Sequence, residues 1–204
     1  MRFSLPTIAL LMLLTSAVNA DEKPEAKDKP KEETKVKTVK VEVKGGLVIN
    51  VPETWKKEKP ASTLRLAQFS IPMAEGDEEA GELALFNFGF GGGVKANIDR
   101  WIKQFHADGR KTKVTRGEME TGKYYFVELS GTYNKSIGPP IQRRTEPREG
   151  YRMLGVILGV EDKGVYFFKM TGPDKTVAKE GKTLRASFGA DGENEEDVEL
   201  EELK

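Results

Sequence analysis

Two pairs of strand-like runs, each closed by a tight turn, constrain this chain more than any other feature. "KVTRGEME" and "KYYFVELSGTY" meet across Thr121-Gly122, and "YRMLGVILGV" and "VYFFKMTG" meet across Glu161-Asp162-Lys163-Gly164. Runs rich in β-branched and aromatic residues, separated by a short polar turn with glycine, read as antiparallel hairpins. "VKVEV", "GGLVINVPETW", "STLRLAQFSIP" and "ELALFNF" supply further strands. Together these runs predict an antiparallel sheet of about six to seven strands. Two helices accompany it. In "VKANIDRWIKQF" the apolar side chains Val94, Ile98, Trp101, Ile102 and Phe105 share one helical face, while Lys95, Asp99, Arg100 and Lys103 point away. A last helix opens at Pro173, with Asp174 in its first turn and Val177, Gly181, Leu184 and Phe188 at helical spacing; Gly181 is expected to permit close approach to the sheet. The fold class is α+β.

The ends of the 204-residue chain have a different composition. Arg2 precedes the apolar run "LPTIALLMLLTSAV", and small residues at Val18 and Ala20 come before "DEK". This pattern predicts a signal peptide over residues 1–20, cleaved after Ala20 and leaving no transmembrane segment. Export into the periplasm or out of a bacterial cell follows. The chain has no cysteine, so the exported domain is expected to rest on a hydrophobic core instead of disulfides. Residues 21–38 are charged, mixed in sign and poor in apolar side chains, which predicts a disordered linker. Residues 190–204 predict a disordered acidic tail. Between them, residues 39–189 form one domain. Formal net charge is zero, which argues against a nucleic-acid partner.

The order of these elements, with "GGLVINVPETWKKEKP", a glycine-rich turn into a tryptophan-bearing helix, and "YFFKMTGPDKTV" followed by a helix ending "LRASF", resembles the Mog1/PsbP-like family, in particular its small exported bacterial members. The resemblance covers nearly all of residues 39–189. It implies an α/β/α sandwich around an antiparallel sheet and an accessory or adaptor role; family members bind a Ran-type GTPase or photosystem II. Its motifs are structural, and no partner-contacting residue carries over.

Four constellations bear on chemistry. Gly91, Gly93 and Ala96 match a relaxed dinucleotide fingerprint between a strand and a helix. That motif needs a parallel βαβ unit, and the next strand here is polar and alternating, so the glycines are read as a tight reversal. His106 is the single histidine and is expected to be exposed at a helix end; without cysteine or a G-x-S-x-G elbow, neither hydrolysis nor a zinc site is supported. Asp191, Glu193, Glu195 and Glu202 have partial calcium-loop spacing, but Glu196 stands where the loop requires glycine. No cofactor is expected.

The fourth is "YNKSIGPPIQRRTEPREGYR", read as a long irregular insert between core strands. Pro139 and Pro140 stiffen it, and Arg143, Arg144, Arg148 and Arg152 concentrate positive charge able to hold carboxylates or phosphates. Pairing with Glu146, Glu149 and the acidic tail is the alternative. The leading expectation is a non-catalytic exported adaptor that binds an unidentified protein or envelope component through this insert. A binder of a small anionic ligand and a hydrolytic enzyme are the competing classes.

Overall fold

The computed structural model describes residues 36–88, 92–138 and 142–203. The expected signal peptide and most of the linker lie outside the described residues. In chain order the elements are β1 (Thr38–Val43), β2 (Leu47–Pro52), β3 (Lys56–Glu58), β4 (Arg65–Ile71), β5 (Gly81–Asn87), α1 (Val94–Ile102), β6 (Lys111–Met119), β7 (Gly122–Ser136), β8 (Thr145–Val160), β9 (Gly164–Pro173), α2 (Asp174–Ala178), α3 (Gly181–Phe188) and β10 (Glu196–Asp197), followed by a 3-10 turn at Leu200–Glu202. Among the described residues, no helix is long and apolar enough to cross a membrane.

The class is α+β, built on an antiparallel sheet of eight strands in the order β10-β6-β7-β8-β9-β5-β4-β3. Both expected hairpins are present, β6–β7 and β8–β9. The strand count exceeds the expected six to seven because short strands at both ends join the sheet. Each of these edges is short and charged, with Lys56, Lys57 and Glu58 on one side and Glu196 and Asp197 on the other, a composition that discourages edge-to-edge association.

The first two predicted strands do not join this sheet. β1 and β2 form a separate two-stranded sheet. Their alternation explains it: Val43, Leu47, Ile49 and Val51 are buried, whereas Lys40, Glu42, Val48 and Asn50 are exposed or partly so. A hairpin with one apolar face is stabilised most by lying flat on another apolar layer. Here that layer is one face of the large sheet, where Phe69, Leu85, Tyr124, Phe126, Phe168 and Met170 join the hairpin and α3 in a single core. Tyr166 also donates a 2.7 Å hydrogen bond to the Gly45 carbonyl in the hairpin turn.

The opposite face holds a second core under α1. Ile98 and Trp101 are buried on the helix, and Phe105 just beyond it, alongside Val127, Leu129, Met153, Ile157 and Phe167. This is the predicted face. Its closest contact is at Gly155 on β8, where an added Cβ would sit 2.5 Å from the Trp101 ring; only glycine leaves room for the indole there.

The last helix departs from its expected form. It breaks into α2 and α3 at Glu180, whose backbone adopts φ −90°, ψ 0°. The break lets Glu180 turn inward, where its carboxylate meets Trp55 and Thr183, while Leu184 and Phe188 enter the core. Gly181 makes no close approach to the sheet: a Cβ there would meet only the Arg185 side chain, at 3.5 Å. The close approach occurs at Gly172, where a Cβ would lie 2.8 Å from the Gly81 Cα.

The expected disordered tail is also corrected, since residues 190–203 pack on the domain. Val198 and Leu203 are buried in the second core, and β10 pairs with β6. The Glu195 side chain is 7% exposed and binds Arg185, itself 13% exposed, at 2.6 Å. Thr115 and Tyr124 donate to the same carboxylate. The Arg185 guanidinium also lies 3.5 Å from the centre of the Phe126 ring. An acidic segment orders here because its few apolar side chains find a core and its buried charge finds a cation.

Candidate functional site

The expected irregular insert is a β-ribbon. β6 pairs with β7 no further than Ser130, and β9 pairs with β8 no further than Tyr151. Beyond those points β7 and β8 continue together, through Tyr133↔Arg148, Asn134↔Pro147, Lys135↔Glu146 and Ser136↔Thr145. The segment therefore satisfies its backbone as a two-stranded extension of the sheet. A bulge between Gly131 and Tyr133 marks where it leaves the main sheet. Pro139 and Pro140 lie outside the described residues.

The root of the ribbon is held by polar and aromatic contacts. Tyr133 and Tyr151 stack with ring centroids 5.7 Å apart and planes 9° from parallel. Lys169 donates to the Tyr133 hydroxyl at 3.0 Å and also to Gln104. Lys135 and Tyr151 both donate to the carboxylate of Glu79, which the β4–β5 connection delivers. Two backbone bonds tie the end of α1 to the ribbon, His106 N–H to the Thr132 carbonyl at 2.9 Å and Asn134 N–H to the Gln104 carbonyl at 2.8 Å. Burial alone would raise the Glu79 pKa, but the hydrogen bonds from Lys135 and Tyr151 outweigh it and hold the carboxyl below its usual range. Burial also opposes the charge on Lys135, yet its bonds to Glu79 and Tyr151 raise its pKa. Burial, reinforced by Glu79, raises that of Tyr151. At neutral pH the cluster is a carboxylate, an ammonium and a neutral phenol, with each charge compensated. Sequence reading missed this root because Glu79, Gln104 and Lys169 lie far along the chain from the insert that holds Tyr133 and Tyr151.

The four arginines have different fates. Arg143 and Arg144 are exposed, and no described residue offers their guanidinium groups an acceptor within hydrogen-bond reach. Arg143 adopts φ 48°, a left-handed turn conformation. Arg148 is exposed and pairs with Glu146 at 3.0 Å. Arg152 does not belong with them. Its side chain is 23% exposed and bridges Asp174 at 2.9 Å and Glu128 at 3.3 Å, tying β7, β8 and α2 together. The strand alternation sends it to the opposite side of the sheet from Tyr151. Among the described residues, the acidic tail makes no ion pair with the ribbon arginines; its ion pairs go to Arg116, Lys113 and Arg185.

Among the described residues, the remaining constellations are not brought together into one site. Gly91 lies outside the described residues. Gly93 precedes α1 at φ 56°, ψ 157°, a conformation open to glycine alone, and the Asn97 side chain donates to its carbonyl at 2.8 Å. β5, which leads into this turn, is flanked by antiparallel β4 and β9, so the βαβ setting of a dinucleotide site is missing. His106 is exposed and contacts Asn134 at 2.9 Å. Glu195, one of the four calcium-loop positions, is engaged by Arg185.

No family model matches the chain, and no curated protein matches it. Among solved structures, the chain is similar to the solution structure of cyanobacterial PsbP (CyanoP) from Synechocystis sp. PCC 6803, at 11% identity and a TM-score of 0.40, over 86% of this chain and 100% of that one.

Proposed function

We propose that this protein is an exported, non-catalytic adaptor of the Mog1/PsbP-like α/β/α type, and that its ribbon tip binds an acidic surface on a protein or envelope component. The observation that carries the reading is the contrast within the ribbon: a root whose polar groups are paired, and a tip where, among the described residues, the guanidinium groups of Arg143 and Arg144 meet no acceptor and Arg148 pairs with Glu146. Arginines on a braced two-stranded support reach outward while losing little further conformational freedom on binding. The layering supports the fold half of the proposal, with α2, α3 and the β1–β2 hairpin on one face and α1 on the other. The amino-terminal pattern of Arg2, an apolar run and a small-residue site supports export.

The test is capture of envelope components by the mature chain, residues 21–204, compared with Arg143→Ser/Arg144→Ser/Arg148→Ser at two salt concentrations. The triple variant is expected to lose most capture at low salt and to flatten its salt dependence, because the attraction is screened over roughly 8–10 Å at ordinary ionic strength. Unchanged capture by the triple variant rejects the tip as the binding element. If the arginines serve a small anion instead, inorganic phosphate will compete with capture and bind the wild type alone.

A further inference from the structure

β6 is nine residues long, and its inner edge is paired to β7 along its whole length, from Lys111↔Ser130 to Met119↔Gly122. Among the described residues, its outer edge pairs through Glu196↔Arg116 and Asp197↔Thr115 of β10, extended by a 2.9 Å bond from Val198 N–H to the Val114 carbonyl. Among the described residues, no strand pairs with the outer edge of Lys111–Lys113 or Gly117–Met119. Open clefts lie on both sides of the contact. One of about 640 Å³ is bordered by Arg116, Tyr124, Asn194 and Glu196; another of about 290 Å³ runs between Thr112–Val114 and Asp197–Leu200. The tail therefore lies against the edge without filling the space around it.

The contacts it does make show what the edge selects. Glu196 accepts from both Nε and Nη2 of Arg116, at 3.0 and 2.7 Å. Asp197 pairs with Lys113 at 3.0 Å. Val198 follows into the second core beside Val114. Two acidic residues and then an aliphatic one, in extended conformation, are read by two cations, a backbone edge and an apolar seat. We propose that the outer edge of β6 is a strand-addition site for an acidic extended segment of a partner protein, and that residues 195–198 occupy it in cis as a displaceable substitute. Strand addition takes its affinity from main-chain bonds and its specificity from the side chains beside them. A covalently linked competitor holds such an edge closed through its high effective concentration, which also protects a long edge from indiscriminate pairing.

The test uses the full chain and a labelled peptide of residues 192–203. Val198→Pro removes the N–H donated to the Val114 carbonyl and should release the substitute. Fluorescence anisotropy is expected to show the peptide binding this variant at least about tenfold more tightly than wild type, where the tethered copy competes. Adding Lys113→Glu and Arg116→Glu should abolish that binding. Equal peptide affinity for wild type and a folded Val198→Pro variant overturns the proposal, as does binding indifferent to the two charge reversals. Should Val198→Pro fail to fold, amide exchange in the wild type decides: Val198 is expected to exchange about a hundredfold or more faster than Val127 through local opening. Exchange of both only through global unfolding overturns displaceability. A concentration-dependent dimer of the wild type that is lost in Val198→Pro would assign the edge to a second copy's tail and overturn the claim for a foreign partner.

Discussion

The ribbon tip and the carboxyl-terminal tail each carry an excess of one sign of charge, and they meet opposite fates. At the tip, Arg143 and Arg144 remain in solvent with no carboxylate partner among the described residues. In the tail, Glu195 is almost fully enclosed against Arg185, and Val198 and Leu203 reach the core a few residues later. Charge by itself decided neither outcome. The tail is held because apolar anchors bring its acids to cations that the sheet already presents, so that desolvation is offset by hydrogen bonds from Arg185, Thr115 and Tyr124. The described part of the tip has no such anchor, and Arg143 and Arg144 stay exposed.

The comparison can be broken first at the support that both regions share. α1 carries the ribbon root at its end and covers the core that receives Val198 and Leu203. Trp101→Ala should destabilise the domain by about 3–5 kcal/mol, the usual cost of truncating a buried aromatic, since the ring fills the space above Gly155. Lys103→Ala, on the outward side of the same segment, should be nearly silent. Equal denaturation midpoints for the two variants would place the helix face wrongly.

Next in size is the tail anchor. Glu195→Ala should cost about 3 kcal/mol, because it leaves the Arg185 cation enclosed without its main partner. The pH dependence follows from the direction of the shift. Burial opposes the Glu195 charge, but the bonds from Arg185 and Thr115 outweigh it and lower the pKa. A lowered folded-state pKa contributes stability that is present above the unfolded value, about 4.3, and is lost as pH falls through the folded one. Urea midpoints of wild type and Glu195→Ala should therefore converge in acid, and a gap that persists undiminished at the lowest pH would contradict the ion-pair account. Tyr124, pushed up to about 12 by burial and then by Glu195, stays neutral throughout this range.

Glu180 provides a smaller effect of opposite sign. Burial raises its pKa, and its contacts with Lys179, Trp55 and Thr183 only partly counter this. Its stability contribution is most favourable below the unfolded pKa and declines as pH rises through the raised folded value. Glu180→Gln should accordingly raise the thermal midpoint at pH 7 and leave it unchanged near pH 3. A loss at pH 7 would mean that the ionised carboxylate is needed at the start of α3.

The smallest stability effect belongs to the tip. Arg143→Ser/Arg144→Ser/Arg148→Ser should shift stability by less than about 0.5 kcal/mol, as exposed substitutions away from buried contacts do. A drop comparable with that of Glu195→Ala would show that the tip is bonded down like the tail, and would remove the basis for treating it as a free binding element.

The sequence by itself determined the features whose causes lie within a few residues of each other. Helical spacing placed Ile98, Trp101 and Phe105 on the buried side, and alternation with polar turns specified the β6–β7 and β8–β9 hairpins. It also placed α1 directly after a glycine turn, and the polar alternation of the next strand argued against a parallel βαβ unit there, in keeping with the antiparallel neighbours of β5. Only the tertiary structure decided which surfaces the elements would share. β1–β2 and β4–β5 both read as strands in the chain, yet one pair lies across the sheet and the other joins it, because the choice depends on which apolar layer remains uncovered after distant strands have paired. The insert reads as irregular since its polar composition carries no periodicity; it becomes a ribbon because β7 and β8 are already aligned where it begins. Arg152 and Arg148 look equivalent in the chain, but one falls half-buried beside Asp174 and Glu128 and the other is exposed beside Glu146. The tail has too few apolar residues to announce a fold, and its order depends on Arg185, Arg116 and Lys113, which other elements bring to it. Periodicity is a property of neighbours in sequence, whereas the partner of a charge is settled by neighbours in space.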